Sequence, residues 1–184
     1  MPEFVLCVQS SAYTTRTDYS SGSIDGYIFG DGAAAQVVSS KHKGRLKVEP
    51  MIFATDPGNA EEITIDSLGH FSQNGSLVRE FSIRKTCEMF EEIAGKKGLY
   101  AENVFTVAHQ ANHVMQDSII GHLNLTKEKN MRNVREQGNI AAAGCPSVLA
   151  QNIDRLLKGD ELVYAVLGGG LAWFLSGQIE QQMA

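Results

Sequence analysis

Apolar residues along this chain fall into two alternating patterns, short continuous runs and longer stretches with helical spacing. The short runs predict strands, since buried strands are typically about four to eight apolar residues bounded by turn residues. The predicted strands cover 4–9, 33–38, 46–55 with a break at Pro50, 104–108, 161–167 and 171–178. Two polar stretches between them, 10–26 and 56–74, predict a long loop and an excursion on the surface.

Three stretches have the spacing of amphipathic helices. The first, 83–94, carries apolar residues at helical intervals, namely Ile83, Cys87, Phe90 and Ala94. Gly98 suits the end of this helix. The second helix covers 112–123, and a third contains 149–156, with Pro146 near its first turn. Alternating strands and helices predict an α/β fold with a mixed, mostly parallel five-stranded sheet, covered by helices and closed by an antiparallel hairpin.

Composition narrows the class of protein. The chain has 184 residues, 43% of them hydrophobic, which favours one soluble globular domain. A formal charge of −5 without a basic tract argues against nucleic-acid binding. No apolar run is long enough to cross a membrane, and the N-terminus lacks the pattern of a secretory signal. We therefore expect a cytoplasmic protein with no membrane partner.

The three cysteines predict reduced thiols. Cys7, Cys87 and Cys145 form an odd set without metal-ligand spacing, so we expect no metal site. Cys7 lies in the middle of a predicted strand, where a thiol would be buried and inert. Cys87 lies on the apolar helix face. Cys145 begins a helix, whose N-terminus favours a thiolate, and is the best candidate nucleophile of the three.

Two neutral hydrogen-bond donors lie at the ends of apolar stretches. His109 directly follows the strand 104–108, and Asn139 lies in a glycine-containing turn before an apolar helix. Two donors that meet at one carbonyl oxygen stabilise the negative charge that develops there, usually the largest single catalytic contribution. Taken singly, His109 is more typical of a core histidine bonded to backbone, and Asn139 of a turn residue.

Four motifs in order favour the catalytic interpretation. They are Phe-Gly-Asp-Gly-Ala-Ala-Ala at 29–35, His-Gln-Ala-Asn at 109–112, Gly-Asn-Ile-Ala-Ala at 138–142 and Gly-Gly-Gly-Leu-Ala-Trp at 168–173. Together they resemble the β-ketoacyl-[acyl-carrier-protein] synthase III family, which has the thiolase-like fold. The resemblance covers the C-terminal half of a family member. It implies that 1–29 is the remnant of the N-terminal half and that 30–184 is the C-terminal thiolase-like domain.

The resemblance implies a decarboxylative Claisen condensation between acyl-coenzyme A and malonyl-acyl-carrier protein in fatty acid biosynthesis. It assigns His109 and Asn139 to the pair that stabilises the enolate. It places Asn112, Gly75, Gly169 and Gly170 near the substrate, and it implies no cofactor beyond coenzyme A and phosphopantetheine thioesters as substrates. Asn112 is equally suited to cap the helix that follows. The alternative to a substrate-binding role for the glycines at 168–170 is that they only meet the backbone requirements of a hairpin.

Departures from the family pattern leave a second hypothesis open. The family's nucleophilic cysteine belongs to the N-terminal half, which has no counterpart here, and Cys145 matches a variable packing position. Val114 stands where relatives often have arginine, and Asn74-Gly75 reverses the usual Gly-Asn order. The chain is then either the C-terminal part of a condensing enzyme or a non-catalytic partner subunit.

Both hypotheses predict association with a separate first half or with a second copy. A specialised synthase of polyketides or quinolones would look the same in sequence. The acyl chain length cannot be read from these residues, because the first half contributes much of the acyl pocket in this family.

Overall fold

A computed structural model describes residues 2–20, 22, 25–49, 51–169 and 172–181. Its strands are β1 (Val5–Ala12), β2 (Asp31–Val38), β3 (Leu46–Val48), β4 (Met51–Thr55), β5 (Ile63–Ile65), β6 (Phe71–Gln73), β7 (Val104–Ala108), β8 (Glu161–Gly168) and β9 (Ala172–Gln181). Its α-helices are α1 (Asp25–Ile28), α2 (Gly75–Lys97), α3 (His113–His122), α4 (Val134–Gln137) and α5 (Gly144–Asn152). In the part of the chain thus described, no helix has the length and apolar character needed to cross a membrane.

A five-stranded sheet organises the C-terminal part of the chain. Its order is β3-β9-β8-β7, and β4 also pairs with β9. Strands β7 and β8 are parallel, whereas β9 runs antiparallel to β8, β3 and β4. Strands β3, β4, β7 and β8 therefore run in the same direction, and of the five strands of this sheet only β9 is reversed. The prediction of a mixed, mostly parallel five-stranded sheet that ends in a hairpin is confirmed. Helical connections join β4 to β7 through α2 and β7 to β8 through α3, α4 and α5, while β8 and β9 form a hairpin whose second strand also pairs with β3 and β4.

Helices cover both faces of this sheet. Successive residues of a strand point to opposite faces. Val104 and Ala108 of β7 therefore pack with α2 and α3, whereas Val107 packs with α5. The first cluster includes Phe90 of α2 and Ile119 of α3, both completely buried. The sheet is thus the middle layer of three, with α2 and α3 on the side that carries the site.

The helix predictions are confirmed in position, with one exception. Helix α2 contains the predicted 83–94 and is followed by Gly98 at φ +79°, as a helix-ending glycine should be. Helix α3 is flanked by Asn112 and Leu123, the predicted end residues. The third helix was predicted over 149–156, but α5 ends at Asn152, and a 3-10 turn follows. Leu156 is nevertheless buried, because the tighter turn brings it to the same apolar layer.

Strands β1 and β2 form a second sheet, separate from the first. Their antiparallel register runs from Val5 opposite Val38 to Ala12 opposite Asp31. The loop predicted over 10–26 is therefore wrong at its start, since Ser10 and Ser11 pair with β2 despite their polar side chains. A 3-10 turn and α1 occupy other parts of that stretch. The predicted domain boundary at 29 and 30 falls between these paired strands, and it stays a prediction.

Residues 56–74, predicted as an excursion on the surface, contain a 3-10 helix and a short antiparallel hairpin. A 3-10 helix over Pro57–Glu62 leads into the hairpin of β5 and β6. The three-residue strands are too short to give a clear alternating pattern in sequence. The hairpin contributes Ile63 and Phe71 to a cavity that the sequence did not assign to this stretch.

Candidate active site

Strand β7 places His109 at the carboxyl end of the sheet. The backbone N–H of His109 donates to the Ala165 carbonyl of β8 at 2.8 Å, which extends the parallel pairing by one residue. The chain then turns sharply, because the N–H of Ala111 donates to the His109 carbonyl at 2.9 Å. The residue before the turn, Ala108, is completely buried. His109 therefore projects from the rigid end of a buried strand.

Burial sets the charge of the His109 imidazole. Desolvation lowers its pKa from 6.5 to about 4, because the charged form loses its hydration and gains no partner. The ring is thus neutral at pH 7. Its Nδ1 atom is buried without a hydrogen-bond partner among the described residues, although the side chain as a whole is half-buried. His109 nevertheless lines a cavity.

A loop held by backbone pairing presents Asn139. Its N–H donates to the Ile28 carbonyl at 2.8 Å, and its carbonyl accepts from the N–H of Gly30 at 3.0 Å. The side-chain Oδ1 accepts from the N–H of Ala141 at 3.0 Å. Because a backbone N–H must meet the oxygen, this bond fixes the orientation of the amide. The Nδ2 group donates to no described residue and is left as a free donor.

Glycines allow β2 to approach the Asn139 loop. A Cβ on Gly30 would lie 2.2 Å from the Gln137 carbonyl oxygen, and one on Gly32 would lie 2.8 Å from Ile140. Gly138 adopts φ +69°, a left-handed conformation that favours glycine. The Gly-Asp-Gly motif is thus explained by close packing. Asp31 within it accepts from the backbone and hydroxyl of Thr14, which lowers the pKa of its carboxyl group.

One cavity of about 1440 Å³ brings the candidate residues together. Its lining includes five residues singled out from the sequence, namely Gly75, His109, Asn112, Asn139 and Gly169. The sixth, Gly170, lies outside the described residues. His109 and Asn139 therefore line the same cavity. Nowhere in the described ranges do three His, Cys, Asp or Glu side chains gather into a metal site.

Asn112 caps helix α3 and also lies on the cavity. Its Oδ1 accepts from the N–H of Met115 at 2.8 Å and caps α3. The same residue lines the cavity. Gly75 is the first residue of α2, at the cavity edge. Val114 is half exposed, at 52%, near the start of α3 and is not part of the cavity lining.

None of the cysteines has the environment of a nucleophile. Cys145 is buried with its Sγ 3.6 Å from the Ala108 carbonyl oxygen, and burial raises its pKa to about 12. Cys87 is buried in the core, and desolvation, reinforced by Glu91 and Glu88, raises its pKa to about 11. The prediction of a buried Cys7 is wrong. It is half-buried, because the two-stranded sheet of β1 and β2 is largely exposed.

Sequence reasoning missed two groups of residues at this site. Tyr13, Phe29 and Phe71 stack or meet edge-on with ring centroids 4.5 to 5.4 Å apart, and all three line the cavity. No local pattern joins residues so far apart in sequence. Gln116 is completely buried and bonded to the His109 carbonyl at 2.9 Å. The sequence signal that could have identified Gln116 is its position, as a polar residue, on the buried face of the predicted helix.

Solved structures define the class of fold. The β-ketoacyl-[acyl carrier protein] synthase III of Thermus thermophilus matches with a TM-score of 0.84 and 26% identity, covering 98% of this chain and 60% of that chain. The corresponding enzyme of Aquifex aeolicus matches with a TM-score of 0.83 and 25% identity, covering 97% of this chain and 58% of that chain. The chain therefore has the α/β architecture of a thiolase-like half-fold.

Sequence comparison gives the family. The model described as 3-oxoacyl-[acyl-carrier-protein (ACP)] synthase III C terminal matches residues 96–176. The β-ketoacyl-[acyl-carrier-protein] synthase III of Bacillus pumilus is 34% identical over 151 residues, which cover 79% of this chain and 47% of that protein. The chain belongs to the β-ketoacyl-[acyl-carrier-protein] synthase III family and corresponds to its C-terminal half. It spans about half the length of the curated relatives it matches.

Proposed function

We propose that this chain is the C-terminal part of a condensing enzyme, an acyltransferase of the synthase III type. The reaction joins acyl-coenzyme A to malonyl-acyl-carrier protein with loss of carbon dioxide, as a step of fatty acid biosynthesis. His109 and Asn139 stabilise the enolate that forms when the malonyl group is decarboxylated. The observation that carries this proposal is the placement of two neutral donors on one cavity.

Neutral donors suit this chemistry better than charged ones. A neutral imidazole N–H and a carboxamide N–H each donate to a thioester oxygen without first losing a strong hydration shell. With the proton on Nε2, the unpartnered Nδ1 of His109 is an acceptor, which avoids burying an unpaired N–H. The hydrogen bond from the Ala141 N–H occupies the Oδ1 atom of Asn139 and leaves Nδ2 to donate to the substrate. Both donors are thus oriented before substrate arrives, so little reorganisation is needed when charge develops.

Substrate binding falls to the rim of the same cavity. Asn112, Gly75 and Gly169 contact the pantetheine arm of coenzyme A or of the carrier protein, and the role implied for Gly170 stays a prediction. Glycines at these positions let a thioester approach the backbone, because they lack Cβ; nothing lies within 4 Å of the Cβ position of Gly75. The chemistry requires no cofactor beyond the thioesters themselves.

The acyl-enzyme needs a nucleophile from another segment. Covalent catalysis splits the condensation at an acyl-cysteine, and the buried thiols of Cys87 and Cys145 have raised pKa values. Cys7 lies on β1, is absent from the cavity lining and belongs to the other sheet. We infer that the N-terminal half of the fold supplies the cysteine, as part of a longer protein or as a separate chain.

Separate assays of the two half-reactions test this function. The chain alone should release carbon dioxide slowly from a malonyl thioester, because the donor pair is present. It should form no ketoacyl product with acyl-coenzyme A and malonyl-carrier protein, because no acyl-enzyme forms. Ketoacyl product from the chain alone would contradict the assignment of the nucleophile. No carbon dioxide above the buffer rate would contradict the role of the pair.

The alternative is a non-catalytic partner subunit or a specialised synthase, such as one making polyketides or quinolones. Val114 favours the partner subunit, since an exposed valine occupies the position where family members often have an arginine, which bears on recognition of the carrier protein or of the coenzyme A phosphates. The coding region upstream discriminates between the proposals. An adjacent frame that encodes a cysteine at the start of a buried helix supports the enzyme, whereas its absence supports the partner subunit.

A further inference from the structure

Helix α3 buries an amide side chain on its apolar face. Gln116 has no exposed surface, although the other buried residues of the helix include Met115, Ile119 and Ile120. An amide in such surroundings is unfavourable unless its polar atoms are bonded. A methionine or leucine would fill this space without that penalty. The presence of glutamine therefore calls for a specific hydrogen-bonding role.

The Gln116 amide donates to the carbonyls of two consecutive residues, Ala108 at the end of β7 and His109 at the start of the turn. Its Nε2 donates to the His109 carbonyl at 2.9 Å and to the Ala108 carbonyl at 3.3 Å. Since both partners only accept, the NH₂ group must face them. The N–H of His109 is already bonded to the Ala165 carbonyl on β8. The backbone of His109 is thus held before its Cα by the sheet and after it by Gln116.

Two buried polar atoms beside this bond have no partner in the described structure. They are Oε1 of Gln116 and Nδ1 of His109. A glutamine retained only for stability would be expected to satisfy both ends of its amide, as most buried amides do. Here only the donor end is used, and it is used on the residue that presents the imidazole. Incomplete bonding of this kind is typical of functional sites.

We propose that Gln116 is a positioning residue for His109, whose two donated bonds hold the turn that aims the imidazole into the cavity. The catalytic meaning of that aim rests on the proposed function, but the positioning itself does not. Gln116 touches no substrate in this scheme and acts through the backbone of His109. Its loss leaves the Ala111 N–H as the remaining described donor to the His109 carbonyl, so the turn is held less firmly and the ring samples other orientations.

The test compares two variants that each replace a buried amide by an apolar group of similar shape. Gln116→Met removes both bonds to the His109 turn. Asn130→Leu is the matched control, since Asn130 is 3% exposed, donates to the Thr106 hydroxyl at 3.2 Å and also leaves its Oδ1 unpartnered. Imidazole ¹⁵N spectra of the whole chain at neutral pH, with His109→Gln for assignment, report the orientation and tautomer of the ring. Carbon dioxide release from a malonyl thioester reports the function.

We expect one sharp neutral-tautomer pattern for His109 in the parent and in Asn130→Leu, and averaged or broadened signals in Gln116→Met. Decarboxylation should fall about 10²-fold in Gln116→Met, mainly in kcat, because small misplacements of a catalytic group have effects of that size. Should that variant not fold, Gln116→Glu keeps the size but at most one of the bonds, and it should give the same spectral change. A His109 spectrum in the folded Gln116 variant that is identical to the parent overturns the proposal. Averaged signals in a chain that never decarboxylates support positioning and contradict the proposed function.

Discussion

The charge of His109 follows from its position directly after a strand whose last residue is completely buried. Desolvation holds its pKa at about 4, so the imidazole is a neutral donor over the physiological range. The sequence predicted this residue from its motif and from the apolar run before it. It could not predict Gln116, because that role depends on which face of α3 meets the turn.

The depressed pKa of His109 predicts a specific pH dependence of stability. As pH falls below 6.5, the unfolded chain binds a proton at this histidine while the folded chain does not until about pH 4. The free energy of unfolding therefore decreases on acidification, by about 2 kcal/mol from this residue between pH 7 and pH 4.5. Urea unfolding at both pH values should show that His109→Gln loses less stability than the parent. An equal loss would contradict the buried, neutral assignment.

The three thiols should differ in reactivity with an alkylating reagent at pH 8. Cys7 is half-buried, whereas Cys87 and Cys145 are buried with pKa values of about 11 and 12. Because the thiolate is the reactive form, we expect modification at Cys7 alone in the native protein and at all three cysteines in urea. Peptide mass analysis after a brief reaction measures this. Rapid alkylation of Cys145 in the native protein would contradict its exclusion as a nucleophile.

At the scale of elements, the site depends on the junction between β2 and the Asn139 loop. Apolar periodicity was sufficient to predict β7, α2 and α3, because each buries a continuous apolar face. It failed for the hairpin of β5 and β6, whose strands are too short to show a period. It also missed the pairing of Ser10 and Ser11, since tertiary contacts determined their structure.

Two glycine substitutions test the junction. Gly138 has φ +69°, and a Cβ there would lie 3.1 Å from the Ile28 carbonyl oxygen, so Gly138→Ala should destabilise by about 1–3 kcal/mol. Gly121→Ala is the control, because Gly121 lies in α3 with nothing within 4 Å of the new Cβ. It should stabilise by up to about 1 kcal/mol. Urea unfolding of both variants gives the comparison, and a neutral Gly138→Ala would refute the close-packed junction.

At the scale of the whole molecule, the sheet of β1 and β2 is the least covered part. Its exposed apolar side chains, each at least 39% accessible, are Phe4, Val5, Leu6, Val8, Val37 and Val38. Because successive residues of a strand point to opposite faces, these side chains leave apolar groups uncovered on both faces of the sheet, and large uncovered apolar surface often marks an interaction site. We expect a first half of the fold, or a second copy of the chain, to cover part of this sheet. The sequence predicted association with a first half or a second copy, but it did not predict which strands would be exposed.

Association of the chain is therefore the expected state in solution. Analytical ultracentrifugation at micromolar concentration should show a species larger than the 20.0 kDa monomer, formed with a second copy or with a supplied first half. Leu6→Asp with Val37→Asp should shift the population to monomer. Leu157→Asp is the control, because Leu157 is 71% exposed and lies outside this sheet. A stable, folded monomer of the parent chain would contradict the prediction.

The central claim is that His109 and Asn139 act together on one oxygen. A double-mutant cycle on carbon dioxide release from a malonyl thioester tests it most directly, with His109→Ala, Asn139→Ala and the double variant. We predict that each single variant loses about 10²- to 10³-fold in rate, as removal of an oxyanion donor does. The double variant should lose much less than the product of the two, because the residues work as a unit. Equal rates in the parent and all three variants would contradict any catalytic role for the pair.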